Sequence, residues 1–248
     1  MRSTIFILLL FLISSGLDAQ YRYKVGGNGK RVRGNGNTIT QERKVTDEFT
    51  KVEVGSAIKV ELTQDRTASI SVKTDENVQD YLVTRISGGE LSIYYRDNAR
   101  LEMSKAPVVY VSMPVVTSID ASGASSVVTT NTFSGDELEL DCGGAAQIEV
   151  SYEGASVIAD VGGAGRIELS GRSEKVDLDA SSAGTINASD CESKHAKVDA
   201  SSAASVRVNA SESLDADANS AASIRYKGNP AKLFTNASSA GSVSKSRL

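Results

Sequence analysis

The chain has 248 residues, of which 40% are hydrophobic and 23% charged, so it is long enough to form the core of one or two domains. Its formal net charge is −4, and its single histidine excludes a metal site built from several histidines. Beyond the first residues, no segment is long and apolar enough to form a membrane-spanning helix.

Residues 1–19 have the pattern of a secretory signal peptide. Met1 and Arg2 give a charged start, Ile5–Ile13 form an apolar run, and Leu17-Asp18-Ala19 is a small-residue cleavage site. An apolar run of about ten residues is too short for a membrane anchor. The cleavage site has no nearby cysteine, so a lipid anchor is not predicted. We therefore predict an exported protein whose mature chain begins at Gln20.

Residues 20–47 have the composition of a basic, flexible arm. Tyr21–Lys44 contains seven basic side chains against Glu42 alone, and it is rich in glycine and asparagine. With so few apolar groups, the segment cannot offset the entropy cost of becoming ordered. A basic arm could contact a polyanion or a membrane surface. We favour a solvated tether and predict no nucleic-acid partner.

From residue 48 to residue 116 the pattern is that of short, irregular β-strands. Apolar residues alternate with polar ones at Val52, Val54, Ile58, Val60 and Leu62, and later runs are separated by glycine, proline and acidic turns. The phrase at residues 53–57, EVGSA, resembles the repeats that follow. We expect this part to contain degenerate coils at the start of one domain that spans residues 48–248.

Residues 117–248 contain seven near-copies of one phrase, of which DASSAG is typical, at intervals of 18 to 21 residues. The copies begin at Asp120, Asp141, Asp160, Asp179, Asp199, Asp217 and Asn236. A period near 19 residues is typical of a solenoid, in which each repeat is one coil stacked on the last.

The residue types at each repeat position predict which side chains point inward. The residues three and one before the acidic position, and one and seven after it, are mostly aliphatic or small, so they should face the core while the aspartate faces solvent. All seven copies have alanine at the fourth position after it, which we interpret as a side chain in a tight inner corner. The predicted fold is all-β, a parallel β-helix.

Cys142 and Cys191 lie in the second and fourth repeats. Export would permit a disulfide. Coils two apart are separated by about 9–10 Å along such a stack, which exceeds the Cα separation of a disulfide. We therefore predict two free thiols.

The block FTKVEVGSAIKV at residues 49–60, together with the repeats, is similar to a bacterial family named putative auto-transporter adhesin, head GIN domain. The resemblance runs from about Glu48 to the C-terminus. It implies a right-handed β-helix in an exported protein of unknown function, and it assigns no catalytic or binding residues. With the signal peptide, it implies a periplasmic, outer-membrane or cell-surface location in a Gram-negative bacterium.

A column of carboxylates is the candidate ligand or cation face of the predicted solenoid, and its members are Asp141, Asp160, Asp179, Asp199 and Asp217. Like charges about 4.8 Å apart repel and raise one another's pKa. Either each carboxylate accepts hydrogen bonds from its own turn, or the row binds Ca²⁺ through its oxygens. We favour the turn bonds, predict no required cofactor or metal, and keep calcium as the alternative.

Catalysis is not predicted. The lone His195 follows Glu192-Ser193-Lys194 in what we interpret as a polar inter-strand turn, without a positioned nucleophile. The runner-up function is a carbohydrate-active β-helix enzyme, which needs paired carboxylates or a basic residue in a groove. We predict a non-catalytic, adhesin-like module of the cell envelope that binds an envelope protein or glycan as a monomer or weak oligomer.

Overall fold

The computed structural model describes residues 23–25, 29–96 and 99–246. Within them, one 3-10 helix covers Glu76–Tyr81, and the rest of the regular structure consists of strands. The strands are β1 (Tyr23–Val25), β2 (Lys30–Arg33), β3 (Thr38–Arg43), β4 (Lys51–Val54), β5 (Lys59–Gln64), β6 (Ser69–Asp75), β7 (Leu82–Ser87), β8 (Glu90–Tyr95), β9 (Ala99–Met103), β10 (Val108–Met113), β11 (Ser118–Ala121), β12 (Ser126–Thr129), β13 (Phe133–Cys142), β14 (Gln147–Val161), β15 (Arg166–Ala180), β16 (Thr185–Ala200), β17 (Ser205–Ala218), β18 (Ser223–Lys227), β19 (Lys232–Ala237) and β20 (Ser242–Lys245).

The repeats form a β-solenoid of about seven turns, which confirms the predicted parallel β-helix. Strands β13 to β17 pair in parallel, each with the next, and β17 continues to β18 and β19. The register follows the repeat period, since Ile148 pairs with Ile167 and Ile167 with Ile186. Each backbone therefore bonds to the coils on either side, and equivalent positions of successive repeats lie above one another.

The predicted inward positions of the repeats are largely confirmed. Ile148, Ile167, Ile186 and Val206, all seven residues after the acidic position, are at most 1% exposed. The residues immediately before and after it are also buried from Ile119 to Ala218. A wall of stacked aliphatic side chains thus runs through the repeats as one continuous core, and its burial is the main favourable term for the fold.

The alanine four positions after the aspartate does not lie in the inner corner, so that prediction is wrong. Ala145, Ala164, Ala183 and Ala203 are exposed, and the buried corner residue is the next one along the chain. The reason is the turn: the third residue after the aspartate has a φ between 50° and 72° in every repeat. A left-handed residue reverses the alternation of sides, so the following alanine points out and its successor points in.

From Ala146 to Ala222 the buried corner residue is matched in volume to the coil before it, whereas Ser125 beside Val54 and Gly241 beside Ala218 do not follow this rule. Alanine stands in the corner where the preceding coil has alanine just after its aspartate, as in Ala204 after Ala180 and Ala222 after Ala200. Glycine stands there where the preceding coil is bulkier. A Cβ on Gly184 would lie 2.7 Å from Val161 Cγ1, and one on Gly165 would lie 2.6 Å from the Cys142 carbonyl oxygen and 3.1 Å from Cys142 Sγ. In the five corners from Ala146 to Ala222, the two facing side chains therefore exchange volume while its sum stays nearly constant.

The predicted degenerate coil at residues 53–57 is present. Strand β4 pairs in parallel with β11 so that Glu53 lies beside Asp120, and Ser56 has the same left-handed turn, with a φ of 68°. Before this coil the pairing changes. Strand β6 is antiparallel to both β3 and β10, and β7 is antiparallel to β8. These antiparallel strands cover the N-terminal end of the stack.

The flexible arm expected over residues 20–47 is wrong where the structure describes it. Strand β2 pairs with β9, and β3 pairs with β6. Arg43 in β3 donates hydrogen bonds to Gln79 Oε1 and to the Gln79 carbonyl, both at 2.9 Å. The segment is ordered despite its few apolar residues because it pairs with strand edges that the rest of the domain provides. The predicted signal peptide, residues 1–19, lies outside the described residues.

Both cysteines are buried and unpaired, as predicted. The Cys142 thiol donates to the Ala146 carbonyl at 3.2 Å, and Cys191 lies beside Gly171 on a different side of the coil. Burial raises the pKa of Cys191 to about 11 and also raises the pKa of Cys142.

We predict that neither thiol reacts with a chromogenic disulfide reagent in the folded state. A pKa of about 11 instead of 9.0 lowers the thiolate fraction of Cys191 at pH 8 about 100-fold. Two thiols should react per chain once denaturant is added, and the reaction rate should follow unfolding. Rapid reaction of either cysteine in the native protein would contradict the buried positions.

Candidate functional site

The predicted carboxylate column exists on the outer surface of the solenoid. Strand pairing places Asp120 beside Asp141 and continues residue by residue through Asp160, Asp179, Asp199 and Asp217. Glu53 precedes this row and Asn236 follows it. Asp141, Asp160 and Asp179 are exposed, whereas Asp199 and Asp217 are half-buried. We call the row from Asp120 to Asp217 the aspartate ladder.

Electrostatic strain in the aspartate ladder is evident at three rungs, Asp120, Asp160 and Asp179. Partial burial, followed by the charges of neighbouring rungs, raises the pKa of Asp120 and of Asp160 above the ordinary value of 3.8. The pKa of Asp179 is raised by the same two causes, burial first and then Asp199. A carboxylate that is partly removed from water beside like charges holds its proton more tightly.

The last two rungs are compensated by neighbouring side chains. Lys197 Nζ lies 2.8 Å from Asp199 Oδ2, and the Nδ2 groups of Asn219 and Asn236 donate to the two Asp217 oxygens at 2.8 and 2.9 Å. No such partner is recorded for Asp120, Asp141 or Asp160 within the described residues. The ladder is therefore electrostatically asymmetric, with the uncompensated charge near its N-terminal end.

The turn hydrogen bonds that we favoured for the carboxylates are not formed. The turn amides bond to carbonyls of the neighbouring coil instead, as when Gly143 N donates to Ala121 O and Ala145 N to Gly123 O. In residues 23–25, 29–96 and 99–246, no three histidine, cysteine or acidic side chains converge to hold a metal ion. The role of the aspartate ladder as a binding face stays a prediction.

Replacing Asp160 with asparagine should slightly stabilise the protein at neutral pH. Because the folded state raises the pKa of Asp160, stability falls as pH rises from 3.8 through the raised value, and the penalty is fully present above it. Asp160→Asn should therefore flatten the dependence of the melting temperature on pH between 4 and 7. The gain is at most about 0.5 kcal/mol, because exposed charges are screened.

Asp199→Asn is the matched control, since this rung has Lys197 as its partner. It should leave stability unchanged or lower it. If both variants lost stability equally, the uncompensated state of Asp160 would be refuted.

A shallow groove of about 600 Å³ crosses strands β14 to β17 at the bend of the coils, from Glu153 to Glu212. It is a second candidate site, which the sequence analysis missed. Its charged lining consists of Glu153, Arg172, Glu174, Glu192, Lys194 and Glu212. Arg172 lies 3.1 Å from Glu192 and Lys194 lies 2.7 Å from Glu174. These residues recur at the coil spacing of 19 to 20 positions, and that recurrence of charge is the signal that could have revealed them.

One ion pair of the groove, Glu174 with Lys194, has pKa shifts in the direction opposite to that of acid–base catalysts. The hydrogen bond with Lys194 lowers the pKa of Glu174, and the same bond raises the pKa of Lys194. A catalytic acid needs a raised carboxyl pKa and a catalytic lysine a lowered one. The groove has the residue types that the enzyme alternative requires, but both of its cations are engaged in ion pairs, Arg172 with Glu192 and Lys194 with Glu174.

His195 lies within strand β16 and not in a turn, which corrects the sequence interpretation. Its Nδ1 shares a hydrogen bond with Ser213 Oγ at 2.9 Å, and its Nε2 lies 3.8 Å from Glu212 Oε2. A serine, a histidine and a carboxylate thus lie together. However, the contact with the carboxylate is too long for the hydrogen bond that orients a catalytic imidazole, and both side chains of that contact are more than half exposed.

The fold and these surfaces define a β-solenoid scaffold that presents columns of charged side chains at the coil spacing. The chain belongs to the family described as "Putative auto-transporter adhesin, head GIN domain", whose model matches residues 48–230. A comparison with curated proteins found no match. The described part of the chain contains no helix that is both long and apolar enough to traverse a lipid bilayer.

Three solved structures with the same fold come from species of Bacteroides and Parabacteroides. A putative adhesin from Bacteroides fragilis has a TM-score of 0.82 and 20% identity, covering 87% of this chain and 100% of its own. A putative lipid binding protein from Parabacteroides distasonis has a TM-score of 0.72 and 23% identity, covering 88% and 100%. A putative adhesin from Parabacteroides merdae has a TM-score of 0.69 and 20% identity, covering 88% and 99%. At these identities the likeness concerns the fold.

Proposed function

We propose that this protein is an exported, non-catalytic interaction module of the cell envelope, in which the side of the solenoid bearing the aspartate ladder binds an envelope protein or glycan. The observation that carries the proposal is the register of the coils, which repeats an acidic side chain at a fixed interval from Asp120 to Asp217. A periodic rigid face suits a partner that is itself extended or repetitive, because many weak contacts can form at once.

Family membership and the signal-peptide pattern support placement in the envelope. The uncompensated rungs support binding, since a cationic partner group would offset both the partial burial and the neighbouring charges that raise the pKa of Asp160. We infer that the protein acts as a monomer or weak oligomer and that its compartment is the periplasm or the cell surface.

The competing function is a carbohydrate-active enzyme that uses the groove at the bend. Its support is the set of carboxylates and cations in one depression, together with the contact between His195 and Ser213. Against it stand the mutual neutralisation of Glu174 with Lys194 and the exposure of the imidazole. The two functions use different surfaces and are therefore separable by mutation.

The test is saturable binding of the purified protein to envelope fractions from a Gram-negative bacterium, before and after protease or glycosidase treatment. Asp141→Lys/Asp160→Lys should weaken binding at least tenfold with an unchanged melting temperature, whereas Glu174→Gln/Lys194→Gln in the groove should not. Incubation with a panel of polysaccharides accompanies the assay. Release of oligosaccharide that Glu174→Gln abolishes would overturn the proposal in favour of the enzyme.

A further inference from the structure

The final coil of the described solenoid has an uncovered core edge. Every residue of β19 is exposed, and Leu233 is 44% exposed although its partner in the preceding coil, Leu214, is fully buried. Phe234 on the same strand is 67% exposed. Terminal repeats of solenoids usually present a polar cap, because an open end exposes both apolar side chains and unpaired backbone groups.

The charge of this end is opposite to that of the rest of the solenoid. Residues 45–217 carry 14 basic and 29 acidic side chains, a net charge of −15. Residues 218–246 contain four basic side chains and no acidic one. These four are Arg225, Lys227, Lys232 and Lys245, and the last three lie in or beside the two final coils.

The cations at this end remain available to an incoming anion. Lys227 and Lys245 line a small depression of about 240 Å³ together with Gly228 and Asn229. Lys227 Nζ has two long contacts, each of 3.5 Å, with Asp190 Oδ1 and with the Ser189 carbonyl, and Lys245 donates to the neutral Asn229. No ion pair with a described residue is recorded for Arg225 or Lys232.

From these observations we infer that the edge formed by β19 and β20 docks an acidic, extended polypeptide segment, which adds in the manner of a further coil. Its backbone would pair with the open edge, its apolar side chains would cover Leu233 and Val243, and its carboxylates would face Lys232 and Lys245. Strand addition of this kind obtains affinity from main-chain hydrogen bonds and selectivity from side chains at alternate positions.

Other occupants fit the edge less well. Two copies joined tail to tail would bring two sets of unpaired cations together. A copy stacked head to tail would meet the antiparallel cover of the N-terminal end, where β3 is already paired with β6. A lipid surface offers no partners for the backbone groups of a strand edge. This inference concerns a surface separate from the aspartate ladder and does not depend on the proposed function.

The probe is a synthetic peptide with the sequence of residues 137–150 of this chain, with serine in place of Cys142. It alternates apolar and polar positions and carries four carboxylates, those of Glu137, Glu139, Asp141 and Glu149. The control peptide has glutamine and asparagine at those four positions. Fluorescence anisotropy measures binding to the whole protein, and hydrogen exchange locates it.

We expect saturable binding of the acidic peptide that weakens with added salt, with slower amide exchange confined to β19 and β20. Lys232→Glu/Lys245→Glu should weaken binding at least tenfold, and Leu233→Asn should weaken it as well, while Asp160→Asn on the lateral face changes nothing. Melting curves show that each variant is folded.

Three outcomes would overturn the inference. One is equal binding of the neutral peptide, and another is exchange protection elsewhere in the chain. The third is failure of the acidic peptide to bind. That result would overturn the inference even if the edge then formed a tail-to-tail dimer in sedimentation, bound phosphatidylglycerol vesicles, or did neither. Loss of envelope binding by the aspartate-ladder variant would leave this result unaffected, so the two proposals can fail separately.

Discussion

Ile167→Asn should destabilise the protein by about 4 kcal/mol, because it removes a buried aliphatic side chain and places an unpaired amide in the core. Ile167 is fully buried between Ile148 and Ile186, and both neighbours would face the amide. For a domain of this size the melting temperature should fall by about 10 °C. Thermal unfolding followed by circular dichroism measures the effect.

Ile158→Asn is the matched control, since the same chemical change is made on the outer surface of the same strand pair. Ile158 is 42% exposed and lies beside Asp177. Its loss should cost less than about 1 kcal/mol. Equal destabilisation by the two substitutions would contradict the inward and outward assignment of the coils.

Gly184→Ala should destabilise the protein by about 2 kcal/mol, although it adds only one methyl group. The new Cβ would lie 2.7 Å from Val161 Cγ1 and 2.9 Å from the Val161 carbonyl oxygen, and overpacking on this scale forces the coils apart. The second substitution Val161→Ala should recover part of the loss. The double variant reproduces the alanine pair that Ala180 and Ala204 form in the next corner.

Double-mutant analysis of urea unfolding gives the test. The coupling free energy between positions 161 and 184 should be about 1–2 kcal/mol in the favourable direction. Gly162→Ala is the control, because only Ser181 Oγ, at 3.9 Å, lies near its added Cβ. Additive effects at 161 and 184 would refute the exchange of volume across the corner.

The asymmetry of charge along the solenoid suggests how one scaffold can present distinct surfaces. Stacking in register turns a single acidic position of the repeat into the aspartate ladder, whereas residues 218–246 contain basic side chains and no acidic ones. Asn236 marks the change, since it continues the ladder without charge and donates to Asp217. Substitutions at the outward-facing positions of the repeat therefore change the surface without changing the core.

The regular core could be predicted from the sequence because its signals are local and repeated. The 18 to 21-residue period determined the stacking of coils, and the alternation around each aspartate determined that Ile148, Ile167 and Ile186 meet. The separation of Cys142 from Cys191 followed from the same period. Repetition makes one correct inference valid in every coil.

The remaining features were decided by tertiary structure. Which alanine is buried depends on a left-handed turn residue that reverses the alternation of inward and outward side chains. Ser182 and Ser202 adopt this conformation, although serine by itself does not predict a positive φ. The order of residues 30–43 depends on strand edges contributed by β6 and β9, far away in the sequence. The groove at the bend, likewise, forms only when charges from successive coils lie side by side. A periodic sequence pattern predicts which residues each coil contains. Backbone handedness and the long-range pairing of strand edges decide which residues those side chains contact.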